Sequence, residues 1–218
     1  MVPRLLLAAA LAAASATPVL AVPVQVDLVY DFDADAQGWT VEAGGALLHV
    51  ASGGVSGGYL QFTDLDSQDM LAVLQPGGAD WSAYAGGVLR FSARIESNHQ
   101  PDWHGFGAVR LVGAAGAVEA DVIPLGLPLA NGTWQQFTVP LTAAVFGNGL
   151  PAVLASVNHL SIKTEYAISN PDVPSTFETL GLDNVSISAV PEAPAWALLL
   201  AGGLLLPALQ RRRTHRPA

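Results

Sequence analysis

Val88-Leu89-Arg90-Phe91-Ser92-Ala93-Arg94-Ile95 decides the fold class. Successive side chains of an extended chain point to opposite faces. Leu89, Phe91, Ala93 and Ile95 therefore share one face, and Val88, Arg90, Ser92 and Arg94 the other. Strict alternation of this kind marks a half-buried β-strand. Leu160, Ile162 and Thr164 alternate with Ser161, Lys163 and Glu165 in the same way. Working outward, shorter stretches at 26–30, 47–51, 59–63, 71–74, 107–112, 118–123, 134–139 and 182–188 read as further strands. Gly53-Gly54, Gly57-Gly58, Gly77-Gly78, Gly86-Gly87, Asn131-Gly132 and Asn148-Gly149 punctuate them as turns. About ten short strands so punctuated form a sandwich or barrel. One short helix is expected, over 150–157. Residues 22–189 thus read as one all-β domain without internal repeat.

Composition bounds the function. The chain has 218 residues, 51% hydrophobic and 12% charged, with a formal net charge of −9 and no cysteine. Disulfides, thiol catalysis and Cys-ligated metal sites are excluded. A nucleic-acid binder needs a basic footprint to neutralise phosphates. Here the only cations between the ends are Arg90, Arg94, Arg110 and Lys163, while all 18 acids but Glu192 lie there. Nucleic acid is excluded as a partner.

The apolar excess, a mean hydropathy of +0.39, sits mostly at the ends. Residues 1–21 read as a secretory signal peptide: Arg4, an apolar Leu/Ala run, the Thr17-Pro18 break and a small-residue cleavage site at Val19-Leu20-Ala21. Residues 190–218 form a tripartite tail. It has Pro191, Glu192 and Pro194, an apolar transmembrane segment over 195–209 opened by Trp196, and a basic end over 211–216 with Arg211, Arg212 and Arg213. The basic stop places the domain outside the cytoplasm. This tail resembles the PEP-CTERM sorting signal. The resemblance implies an exosortase as processing partner, a transient stay in the inner membrane, and delivery to the cell surface or extracellular matrix. Here the motif reads Pro191-Glu192-Ala193, with proline delayed to Pro194. An uncleaved C-terminal anchor is the alternative.

The middle carries a second resemblance. Phe32-Asp33 with Gly38-Trp39, Gly57-Gly58-Tyr59-Leu60, and Tyr84 through Phe91 open it. Trp134 with Phe137-Thr138-Val139-Pro140-Leu141, Leu160-Ser161-Ile162, Glu165-Tyr166 and Glu178 through Val185 complete it. In this order the pieces resemble the laminin domain IV (laminin B) module. The resemblance implies a galactose-binding-like jelly-roll β-sandwich without catalytic activity, with Trp39 and Trp134 in its core.

Two sites are candidates. Asp31, Asp33 and Asp35 place carboxylates on one side of an extended stretch, and Ca²⁺ takes six to eight oxygen ligands. The jelly-roll resemblance pairs Asp33 with Asp183 of the last strand as the ligands of a structural calcium. Capping of turns by solvated acids is the plainer reading. Asp64, Asp66 and Asp69 form a second, sparser acidic cluster. The other site is the loop Asn98-His99-Gln100-Pro101-Asp102-Trp103-His104, where an aromatic lies among polar groups. A ring that stacks on a sugar, with His99, Asp102 and His104 fixing hydroxyls, would bind glycan. Alternatively, Trp103 folds back over the core. No His-Glu-x-x-His, Gly-x-Ser-x-Gly or phosphate-loop motif occurs. The leading expectation is therefore an exported, non-enzymatic surface or exopolysaccharide-matrix protein with a structural or adhesive domain. A carbohydrate-binding module is the first alternative, and a matrix polysaccharide-degrading enzyme the second.

Overall fold

The computed structural model describes residues 26–42, 44–66, 68–96, 101–167 and 178–190. The signal segment, the sorting tail with its transmembrane stretch, and His99 lie outside the described residues. Among the described residues no helix is long and apolar enough to cross a membrane.

Among the described residues, eleven strands form: β1 (Leu28–Tyr30), β2 (Trp39–Glu42), β3 (Gly45–Val50), β4 (Tyr59–Asp64), β5 (Leu71–Leu74), β6 (Val88–Ile95), β7 (Val109–Gly113), β8 (Gly116–Ala120), β9 (Gln135–Pro140), β10 (Val157–Lys163) and β11 (Thr179–Ser188). Two short helices, α1 (Ala143–Phe146) and α2 (Leu150–Leu154), and a 3-10 turn at Ser82–Tyr84 connect them. The strands form two antiparallel sheets. The first runs β3-β4-β11-β6-β9, with β1 pairing the later half of β11. The second runs β2-β5-β10-β7-β8. The all-β sandwich expected from sequence is what forms.

Alternation explains the core. Leu89, Phe91, Ala93 and Ile95 are all at most 1% exposed and face Val109, Leu111, Leu160 and Ile162 of the second sheet, which are as buried. Phe91 stacks on Phe137 at 5.3 Å, and Phe106 meets Phe137 edge-on at 5.9 Å. Full burial of each such ring contributes roughly 1.5–3 kcal/mol.

Three expectations change. The helix expected over 150–157 ends at Leu154, because Val157 bridges Ala79 and already opens β10. Trp39 is core, 2% exposed, but it also opens β2, a strand that the sequence reading left out. Trp134 is half-buried on the outer face of the first sheet rather than in the core. It lies over Gly181, where an added Cβ would come within 2.8 Å of its ring.

The described ends meet. Leu28 pairs with Ile187, and the Tyr84 hydroxyl donates to the Val26 carbonyl, so Val26 and Val190 leave from one end of the sandwich. Thr179, preceded by Glu178, begins β11 at the other end, where residues 64, 102 and 166 gather. Ten residues of β11 separate the two ends, about 30 Å at the rise of an antiparallel strand.

Candidate functional site

β10 is the clue to the site. Its outward face should be solvated, yet Ser161 is 3% exposed and Glu165, just beyond the strand, also 3%. A buried polar face on an outer sheet surface means that something covers it. The cover is the loop 101–108, pinned where the Asp102 and Trp103 amides both donate to the Tyr166 carbonyl. Together they enclose a cleft of about 350 Å³ on the outer face of the second sheet. Asp69, His104, Arg110, Glu119, Asp121 and Lys163 are its charged or titratable lining groups. Strand register brings them together: Arg110 stands opposite Ser161 on one side and Glu119 on the other.

Trp103 forms the rim beside this cleft. It is half-buried, its Nε1 donates to Asp69 at 3.3 Å, and the Lys163 ammonium lies 5.2 Å from its ring centroid. Lys163 Nζ in turn reaches Asp69 at 2.7 Å and Glu165 at 3.9 Å. Burial pushes the Asp69 carboxyl up, but hydrogen bonds from Lys163 and Trp103 outweigh it and hold the group below the ordinary range. Glu165 goes the other way. Burial first, and then its hydrogen bond with Asp69, raise it to about 7 against the pull of Lys163. Below it, Glu178 accepts the amides of Tyr166 and Ala167, and burial nevertheless pushes it to about 8.

Of the predicted loop residues, Asp102 and His104 are exposed, His104 lines the cleft, and Trp103 neither covers the core nor stands free. Sequence reasoning missed Arg110, Glu119, Asp121, Ser161, Lys163 and Glu165. The outward positions of β10 were visible as an alternating polar row, and that row was the available signal. Asp69, read as part of an acidic cluster, is held instead by Lys163 and Trp103.

Asp33 and Asp183 do come together. Asp183 is fully buried, accepts the Val55 amide at 2.6 Å through Oδ2 and the Asn184 amide at 2.6 Å through Oδ1. Burial raises its carboxyl above the ordinary range, and the charge of Asp33 raises it further. Both carboxylates press on the Gly53–Gly58 turn, where a Cβ at Gly57 would overlap Asp33 and one at Gly54 would lie 2.6 Å from Asp183. Phe32 and Asn184, beside these acids, adopt φ of 53° and 48°, a costly region for residues with a Cβ. Asp31 is occupied locally, taking the Gln37 amide group and the Asp33 amide. Among the described residues no cluster of three or more metal-ligating side chains forms.

No family model matches this chain, and no curated protein matches it. Solved structures do. An exo-β-agarase superposes with a TM-score of 0.53 at 13% identity, over 75% of this chain and 25% of the agarase. This chain thus spans a quarter of that enzyme's length. A family 11 carbohydrate-binding module of a cellulosomal cellulase from Clostridium thermocellum gives 0.48 at 11% identity, over 78% of this chain and 98% of the module. A xylan-binding domain from Paenibacillus barcinonensis gives 0.45 at 13%, over 75% and 99%. At such identities the likeness concerns the fold alone.

Proposed function

We propose that this domain is a non-catalytic glycan-binding module that holds its ligand in the cleft of the second sheet. The observation that carries the reading is the cleft itself. One concave surface gathers carboxylates, a guanidinium, an ammonium and an imidazole, with an indole at its rim. Carboxylates and Arg110 offer paired acceptors and donors to sugar hydroxyls. Trp103 offers an apolar face for a pyranose ring. This reading replaces the structural or adhesive role as the leading interpretation, and keeps the domain non-enzymatic. Arg110→Ala and Trp103→Ala, titrated calorimetrically with soluble polysaccharides, should each weaken binding about tenfold, equivalent to ~1.4 kcal/mol. Unchanged affinity in both, with melting temperature preserved, would remove the cleft from the function.

The galactose-binding-like jelly roll is retained as the finer description of the sandwich, and the laminin domain IV kinship with it. A structural calcium at Asp33 and Asp183 is part of the same proposal. Asp183, fully buried and met by backbone amides, lies beside the exposed Asp33, and a hard divalent cation would neutralise the pair. Export completes the reading. Residues 1–21 would be removed, the PEP-CTERM-like tail would be processed by an exosortase, and the module would reach the surface or matrix, where exopolysaccharide is the available glycan. Intact mass of the product from a host with the sorting enzyme tests this. Loss of both ends in matrix material is expected; a membrane product that keeps Arg211–Arg216 would show a permanent anchor instead.

A further inference from the structure

Glu165 has one feature that the binding site does not require. Its Oε2 is buried and has no hydrogen-bond partner of its own. A buried carboxylate oxygen without a donor is costly, because desolvation is then uncompensated. The neighbouring acceptor is Asp69, so a proton on Glu165 turns two repelling carboxylates into a donor and an acceptor. Asp69 is also the residue that holds Trp103 and Lys163.

We infer that Glu165 is a proton-operated latch on the aromatic rim of the cleft: protonated, it donates to Asp69 and fixes Trp103; ionised, it competes with Asp69 for Lys163 and lets Trp103 go. On ionisation the proton leaves to solvent. Lys163 Nζ, already 3.9 Å from Glu165 Oε2, is drawn toward the new charge. Asp69 then loses a donor and gains a like-charged neighbour. The groups that face Glu165 are Lys163 on β10, Asp69 ahead of β5, Asp64 at the end of β4 and Glu178 ahead of β11. Lys163 alone favours ionisation, and the three acids oppose it. The raised ionisation range of Glu165 places the change near neutral pH. The latch stands on this geometry; only its effect on ligand affinity rests on the glycan-binding reading.

The test follows the indole signal of Trp103 by NMR in the full chain labelled with ¹⁵N-tryptophan, assigned with Trp103→Phe. Between pH 5.5 and 9 the signal should move with a midpoint near 7. Glu165→Gln keeps a donor toward Asp69 at every pH, so its signal should stay at the low-pH position, while Glu178→Gln should keep a transition. A wild-type signal that does not move overturns the latch. So does the same transition in Glu165→Gln. Polysaccharide affinity should fall several-fold from pH 6 to 8.5 in the wild type and stay level in Glu165→Gln. If the indole titrates as stated but no polysaccharide binds at any pH, the latch stands and the glycan-binding reading falls.

Discussion

Asp183 accepts backbone amides through both oxygens and still has its ionisation raised by burial and by Asp33. Amide dipoles soften a buried charge; they do not cancel the repulsion of a second carboxylate. With calcium bound at about 100 times its dissociation constant, the folded state would gain ~2.7 kcal/mol. EDTA should then lower the melting temperature by about 5–10 °C in a domain of this size. Asp183→Asn should remove the EDTA effect, whatever its own cost. Equal melting curves with and without EDTA would reduce Asp33 and Asp183 to turn-capping acids. At this scale the sequence was informative in one respect: the pairing of Asp33 with Asp183 followed from resemblance, and the fold does bring them together. Asp31 and Asp35 looked equivalent to Asp33 in an extended stretch. The turn at Phe32, with its positive φ, breaks that equivalence.

β6 was legible because it alternates over eight residues, and β10 because residues 160–165 alternate past its bulge near Val157; a long period-2 pattern has few other structural solutions. β2 is four residues, too short for a pattern to stand out beside the Gly38-Trp39 turn. The cleft was illegible for a different reason. Its residues come from β5, β7, β8, β10 and three loops, and only cross-strand register, which sequence does not print, sets Arg110 beside Ser161 and Glu119. β11 shows how strongly one element limits substitution. It is the central strand of the first sheet, and its Gly181 admits Trp134 and Tyr59 over the backbone. Gly181→Val should cost about 1–3 kcal/mol by overpacking. Urea denaturation would show this as a lower midpoint at unchanged slope. Wild-type stability in the variant would mean that Trp134 can lift away freely.

For the molecule as a whole, the ionisation of Glu165 and Glu178 sets the pH dependence of stability. Both are raised in the folded state, to about 7 and about 8, from an ordinary value of 4.5. A raised carboxyl binds more protons folded than unfolded, so its contribution is complete below the unfolded value. It is lost as pH rises through the folded one. The excess of acids over cations acts in the same direction, through self-repulsion. The melting temperature should therefore be about 5–10 °C higher at pH 5 than at pH 8.5. Glu165→Gln should flatten the part of the curve below about pH 7. A melting temperature that rises over this interval would contradict the buried placement of both acids.

The meeting of Val26 and Val190 at one end of the sandwich has a geometric consequence. Trp103, Asp69 and Glu165 sit at the opposite end, about a strand's length away. A support gripping the domain by either terminus holds it like a stem below a cup. The mouth of the cleft then stands clear of that support, and the same presentation survives whether one terminus is attached or both.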